Sequence, residues 1–231
     1  MTHPLVLPTA LQLQLNELII GLFLLTGFGM TVARQIQATL FGFIAQSLLL
    51  AASAFVLGVH PVSPHLLALA AVTLVSKPIL IPFVLQRLVP REVYSKRELT
   101  QRVSITTSLM IALALAVAAY FFALPLLRSG APLVSVGNVA IGFAGLFVGL
   151  YQVAARNEAV AQLLGILAME NGAFLAAIAI APDFPLIAEL AIAFDVPLLA
   201  LIVGLLTRAL HEYVGSTDVG TLVSLREDAG H

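Results

Sequence analysis

The segment AVAQLLGILAMENGAFLAAIAIA, residues 159–181, decides the fold class of this chain. A helix that crosses a bilayer needs about 20 mostly apolar residues, and this segment reaches that length with Glu170 as its single charged residue. Similar apolar segments lie between turn-forming residues at 14–33, 37–59, 65–88, 102–127, 133–153 and 186–210. We therefore predict an all-α, polytopic transmembrane bundle of about seven spans.

The composition agrees with a membrane protein and excludes several kinds of site. Hydrophobic residues make up 60% of the chain and charged residues 10%, whereas a soluble domain has about 25% charged residues. The absence of Cys excludes disulfides, thiolate metal sites and cysteine-bound clusters. The sequence also has no glycine-rich phosphate loop and no convincing pair of haem-binding histidines. We therefore expect this chain to bind no cofactor or metal and to have no catalytic site of its own.

The basic residues outside the spans fall almost entirely on one side of the membrane. Those on that side are Arg34, Arg87, Arg91, Lys96, Arg97, Arg102, Arg156, Arg208 and Arg226, and only Arg128 lies on the other. Because Lys and Arg concentrate in cytoplasmic loops, we predict an outside N-terminus and a cytoplasmic C-terminus. The expected location is the plasma (inner) membrane of a prokaryote.

Spans one to three and spans five to seven resemble two parallel copies of one unit. The matching positions are Ala33-Arg34 and Ala155-Arg156, Gly42 and Gly165, and Ser76-Lys77-Pro78 and Asp195-Val196-Pro197. The predicted divisions are an N-terminal three-helix unit (1–90), a cytoplasmic loop with a linking helix (91–128), a C-terminal three-helix unit (129–214) and a polar cytoplasmic tail (215–231).

Three charged residues, Lys77, Glu170 and Asp195, each lie near the middle of a predicted span. A charge at the bilayer centre costs roughly 2.5–3.5 kcal/mol on insertion scales, so such residues usually pair or handle an ion. Asp195 precedes Pro197 by two residues, and a helical proline leaves a kinked backbone beside this carboxylate. That combination is suited to taking up and releasing a proton. Spans six and seven are joined by a short turn, so Glu170 and Asp195 should lie at similar depth.

Lys77 is the single mid-membrane cation of the predicted spans, and Pro78 and Pro82 follow it closely. We expect an irregular backbone there, which a membrane tolerates only when it is buried in protein or lines water. Gln46 is the expected polar neighbour of Lys77 in the first unit.

Four further polar residues complete the expected set. Asn171 and Glu189 are predicted to play secondary polar roles beside the two acids. Asn16 and Glu17 are expected near the outer end of the first span, where solvation is cheap.

These charges allow more than one function. Lys77 could pair permanently with Glu170 or Asp195 and hold the bundle in register, without transporting anything. A single pairing with Lys77 leaves one of the two acids without a cation, which favours a proton relay through Asp195, Glu170 and Lys77. An assembly scaffold and an independent small secondary transporter remain alternatives, and both H⁺ and Na⁺ remain open as the ion.

The chain resembles two related kinds of membrane subunit, one over its C-terminal helices and one over its whole length. The motifs are Ala155-Arg156-Asn157, Leu164-Gly165-Ile166-Leu167-Ala168-Met169-Glu170-Asn171, Ala188-Glu189-Leu190-Ala191-Ile192-Ala193-Phe194-Asp195 and Leu205-Leu206-Thr207-Arg208. The C-terminal three helices resemble subunit K of respiratory complex I. The chain as a whole resembles component E of the hydrogenase-4/formate hydrogenlyase family.

The resemblance implies a non-catalytic membrane subunit beside a large antiporter-like subunit, within an assembly that couples redox chemistry to ion transfer. Subunit K carries a mid-membrane glutamate in each of its second and third helices. Asp195 occupies the position of the glutamate in the third helix. In the second helix the matching position falls near Ile166 or Leu167, and Glu170 lies about one turn further on, on a similar face.

Overall fold

A computed structural model describes residues 10–60, 62–88, 103–128 and 133–180. Its helices are α1 (Ala10–Val32), α2 (Ile36–Val59), α3 (Pro64–Val75), α4 (Ile81–Leu88), α5 (Ile105–Arg128), α6 (Leu133–Ala155) and α7 (Ala159–Ile180). A π-helical turn, Ser76–Leu80, joins α3 to α4, so that these three elements form one span.

The described part of the chain is all-helical and has six helices long and apolar enough to cross a membrane. They coincide, to within a few residues, with the first six predicted spans, which confirms the polytopic helical bundle. The protein is therefore a multi-pass membrane protein of the lipid bilayer. The seventh predicted span, 186–210, lies outside the described residues together with Asp195 and Glu189.

The π-helical turn falls where the sequence predicts an irregular backbone. Pro78 cannot donate a backbone hydrogen bond, and its ring would collide with the carbonyl four residues earlier in a regular α-helix. The wider turn accommodates one extra residue at that point. Pro82 follows four residues after Pro78, at the second residue of α4, and likewise has no amide proton to donate. The irregular backbone of the third span is thus confirmed, and Lys77 lies within it.

Helices α6 and α7 pack with their backbones in close contact. A Cβ atom on Gly145 would lie 3.2 Å from the Cα of Gly172, and one on Gly149 would overlap the backbone of Met169. Such close approach is possible because glycine has no side chain. This contact sets the rotation of α7 about its axis, and therefore the direction in which its polar residues point.

Two helix pairs run parallel through the core. Asn16 of α1 contacts Asn138 of α6 near the N-terminal ends of these helices, and Gly27 contacts Gln152 nearer their C-terminal ends. Helices α2 and α7 also run parallel to each other. One apolar cluster includes Phe43 with Leu164, and another includes Leu50 with Leu175. These contacts agree with parallel units, while the four-part division of the chain stays a prediction.

Candidate intramembrane ion site

The structure pairs Lys77 with Glu170. The Nζ atom of Lys77 lies 2.7 Å from Oε1 of Glu170, and their side chains are 2% and 16% exposed. The sequence allows either Glu170 or Asp195 as the partner of Lys77. The fold brings Glu170 to the π-helical turn that carries Lys77. An ammonium and a carboxylate in contact cancel most of each other's charge, which lowers the cost of placing both within the membrane.

Phe174 holds the same ammonium from a second side. Its ring centroid lies 4.4 Å from Nζ of Lys77, within the range of a cation–π interaction. Phe174 follows Glu170 by one turn of α7, so both contacts come from one helix face. Among the described residues, both an acid and an aromatic ring therefore contact this lysine.

A second group of polar side chains joins α7 to α2 beside this pair. The amide nitrogen of Asn171 donates to Oγ of Ser47 at 2.9 Å and to Oε1 of Gln46 at 3.4 Å. Gln46 was expected as a polar neighbour of Lys77, and the structure instead shows its carbonyl oxygen accepting from Asn171. Both side chains are buried. The predicted secondary residues Gln46 and Asn171 thus bond each other next to the ion pair.

Two oxygens in this region have no hydrogen-bond partner within the described residues. They are Oδ1 of Asn171 and Oγ of Ser76, the residue before Lys77. Buried polar atoms are nearly always hydrogen-bonded to protein or to ordered water. These two acceptors are therefore places where water or a further polar group would be stabilised next to the Lys77–Glu170 pair.

A ring of three polar side chains lies near the N-terminal ends of α1 and α6. Asn16 donates to Oδ1 of Asn138 at 2.6 Å, Ser53 donates to Oδ1 of Asn16 at 2.7 Å, and Asn138 donates to Oγ of Ser53 at 3.4 Å. The expectation that Asn16 is solvated was wrong, since it is 1% exposed. Helix α1 turns Asn16 inward and leaves its neighbour Glu17 exposed.

A third polar group lies between the ion pair and the end of α6. Gln152 donates to the carbonyl oxygen of Gly27 at 3.0 Å and to Oγ1 of Thr31 at 3.1 Å. The amide nitrogen of Gln46 lies 3.7 Å from the place of a Cβ on Gly27. Gly27 therefore separates the two glutamine amides, and buried polar groups extend from Asn171 to Gln152.

Arg156 is buried at the end of α6, although sequence reasoning counted it among the loop cations. Its guanidinium donates to the carbonyl oxygens of Ala33 at 2.8 Å and Met30 at 2.7 Å, at the end of α1. Burial lowers the pKa of Arg156, and the nearby Glu158 raises it. No spacing in the sequence marks this role, because the acceptors are backbone atoms of a distant span.

The described residues bring together an acid, a cation and neutral amides and hydroxyls at mid-membrane. Within the described ranges, no group of three or more His, Asp or Glu side chains is placed to hold a metal ion. The expectation that the chain binds no cofactor stays a prediction.

Comparison with known proteins gives one distant relative. The chain is 29% identical over 182 residues to a protein of Mycobacterium tuberculosis named "Uncharacterized protein Rv0085", and the similarity covers 79% of this chain and 82% of that protein. No family model matches the chain, and no solved structure matches it. The resemblance to hydrogenase-4 component E and complex I subunit K therefore stays a prediction.

Proposed function

We propose that this chain is a non-catalytic membrane subunit of a redox-linked, ion-translocating complex of the group 4 hydrogenase, formate hydrogenlyase or complex I type. It supplies mid-membrane carboxylates to a proton path beside a large antiporter-like subunit. It lies in a prokaryotic plasma membrane, with its N-terminus outside and its C-terminus in the cytoplasm. Other membrane subunits of the complex are its further partners.

The contact between Lys77 and Glu170 carries this proposal. A purely apolar bundle gains nothing from placing two charges at mid-membrane, whereas an ion path needs groups that change charge there. Protonation of Glu170 would weaken its hold on Lys77, and loss of that proton would restore it. The unsatisfied oxygens of Asn171 and Ser76 support the same function, because they favour water beside the pair.

Each charged residue has a proposed role. Glu170 accepts and releases the proton, and Lys77 supplies the compensating charge or continues the path. Asp195, at similar depth in the seventh predicted span, is the next acceptor along the membrane plane. Glu189 lies nearer the outer end of that span as a secondary polar group.

A scaffold function is the second candidate, and the same pair favours it. The ion pair between Lys77 and Glu170, at 2.7 Å, and the contact of the Phe174 ring with the same ammonium could fix the rotation of α7 against the third span. In that case the pair would serve assembly alone. The two functions differ in what happens when both charges are removed together.

The decisive experiment compares Glu170→Gln, Lys77→Met and the double variant in the full chain, expressed in its own membranes. Purification of the tagged chain with mass spectrometry identifies its companions, and dye quenching in membrane vesicles measures redox-driven proton translocation. A relay predicts that the double variant assembles normally and loses translocation. A scaffold predicts that single variants lower the yield of the complex and that the double variant restores both yield and translocation.

Two results would overturn the proposal. The first is normal translocation by the assembled double variant, which would leave the scaffold. The second is purification of the intact chain without any redox or antiporter-like companion, together with ion transport by the chain alone.

A further inference from the structure

The buried polar side chains differ along the bundle in how completely they are hydrogen-bonded. Helices α1 and α6 begin at one end of the bundle and finish at the other, and we call these the starting end and the finishing end. Near the starting end, every polar side-chain atom of Asn16, Ser53 and Asn138 bonds within their ring. Nearer the finishing end, Oδ1 of Asn171 and Oε1 of Gln152 are buried without a hydrogen-bond partner among the described residues. Such atoms are nearly always satisfied by ordered water.

An apolar layer separates the ring from Asn171. Its members include Ile20, Phe23, Leu50 and Leu175, each at most 3% exposed. A Cβ on Gly145 would lie 2.8 Å from the ring of Phe23 and 3.2 Å from the Cα of Gly172. The Phe23 ring therefore lies at the depth of Gly172, immediately on the starting side of Asn171. Because an apolar lining gives water no hydrogen bonds, this side of Asn171 is closed to water.

The interval between Asn171 and Gln152 contains a polar group instead. A Cβ on Gly165 would lie 3.3 Å from the Cβ of Gln152, so these two residues share a depth. Asn171 lies six residues further along α7, a distance of about 9 Å. The amide of Gln46 lies within this interval, since its Oε1 accepts from Asn171 at 3.4 Å and its nitrogen faces Gly27.

Gly27 leaves room beside the Gln46 amide. A Cβ on Gly27 would lie 3.7 Å from Nε2 of Gln46 and 3.9 Å from the side chain of Val148, which are ordinary contacts. A methyl group and a water molecule are similar in size, so one water fits there without displacing its neighbours. Buried water needs two to four polar partners. Gln46 supplies a donor, and Oε1 of Gln152 supplies an acceptor that the described residues leave unbonded.

We propose that a file of water enters the bundle from the finishing end, passes Gln152 and Gly27, and reaches Asn171 beside the ion pair. Gln152 lies three residues before the end of α6, about 4.5 Å from it, so the entrance is short. Two or three waters about 2.8 Å apart bridge the interval to Asn171. The apolar layer around Phe23 ends the file.

The route has a consequence that rests on the proposed function. Asn171 adjoins Glu170 in α7, so a proton held on Glu170 would exchange with water at the finishing end alone. That end is the predicted cytoplasmic one. The route would then give the ion site access to a single side of the membrane.

Cysteine accessibility tests the route directly, because the natural chain has no Cys. The full-length variants Ser47→Cys and Ser53→Cys form a matched pair, six residues apart on α2 and on opposite sides of the apolar layer. Inside-out and right-side-out membrane vesicles are treated with Ag⁺, a small cation that binds thiols. Thiols that remain free are then labelled with a maleimide-polyethylene glycol reagent after denaturation. Arg34→Cys, at the exposed end of α1, reports which vesicles present the finishing end.

The expected result is that Ag⁺ at the finishing end blocks Ser47→Cys and leaves Ser53→Cys fully labelled. Ag⁺ at the starting end should leave Ser47→Cys labelled. Asn171→Cys probes the same depth from α7, so the test remains available where Ser47→Cys does not fold.

A second substitution tests the water site at Gly27. Gly27→Ala should slow the block of Ser47→Cys about tenfold, because a methyl group takes the place of the water. Gly29→Ala is the matched control, since a Cβ there has nothing within 4 Å, and it should leave the rate unchanged.

Several results would overturn this proposal. One is labelling of both Ser47→Cys and Asn171→Cys after Ag⁺ treatment from either side. Another is a block of Ser47→Cys from the starting end, or of Ser53→Cys from the finishing end, because the apolar layer would then be open. Equal rates in the Gly27→Ala and Gly29→Ala backgrounds would remove the water site. None of these results uses ion translocation, so the route can fail while the proposed function stands, and the reverse.

Discussion

Glu170 and Phe174, one helical turn apart on α7, hold the same lysine from two sides. The acid lies 2.7 Å from Nζ of Lys77, and the ring centroid lies 4.4 Å from it. The π-helical turn carries Lys77 to this position, and the glycine contact with α6 sets the rotation of α7 that presents both partners. The geometry of the site is thus determined by two backbone features that have no charge themselves.

Replacement of Phe174 by leucine should weaken the hold on Lys77 while keeping the core filled. We expect a loss of about 0.5–2 kcal/mol in the free energy of unfolding, because the desolvated cation loses its aromatic contact. Denaturation of the purified chain in detergent measures this change. Phe55→Leu is the control, since Phe55 is 55% exposed, and an equal loss in both variants would contradict the cation–π contribution.

Replacement of Asn16 by leucine should destabilise the bundle although it increases its hydropathy. The change removes the acceptor of Ser53 and the donor to Asn138, and we expect a loss of about 1–2 kcal/mol in the free energy of unfolding. The same denaturation experiment measures it, with Glu17→Gln as the control on the exposed side of α1. A stability equal to that of the natural chain would show that the three-residue ring is dispensable.

Replacement of Arg156 by methionine should separate the end of α6 from the end of α1. The guanidinium bonds carbonyls of α1 from a buried position, and its loss should lower the free energy of unfolding by about 3 kcal/mol. Arg156→Lys should restore little of this, because one ammonium does not reproduce the fork of the guanidinium. Arg34→Met, at the exposed arginine, is the control. Full recovery by Arg156→Lys would contradict the bridging geometry.

Replacement of Gly172 by alanine should push α7 away from α6. The added Cβ would lie 2.6 Å from the carbonyl carbon of Gly145 and 2.7 Å from the carbonyl oxygen of Gly142. We expect a destabilisation of about 1–3 kcal/mol from this overpacking. Gly29→Ala is the matched control, because a Cβ there has nothing within 4 Å, and helix propensity favours alanine. The melting temperatures of the two variants should therefore shift in opposite directions, or by clearly different amounts.

The sequence predicts the helices well and the contacts between them only in part. Six predicted spans match helices of the structure to within a few residues, and the irregular backbone at Pro78 is confirmed. Lys77 and Glu170 were singled out by their cost in a membrane, but their contact was one of two pairings left open. Sequence patterns do not predict the burial of five polar residues, because neutral amides, hydroxyls and helix-end arginines leave no distinctive pattern. These residues are Asn16, Ser53, Asn138, Gln152 and Arg156.

What the sequence determined by itself is the set of properties that depend on neighbouring residues. Span length, hydropathy and the effect of proline are local, so they can be derived from consecutive positions such as 159–181. What only the tertiary structure decided is the rotation of each helix and its partner at each depth. Those depend on backbone contacts between distant spans, such as Gly172 against Gly145. A rotation of α7 by one residue, about 100°, would turn Glu170 away from Lys77 without changing the hydropathy of the span.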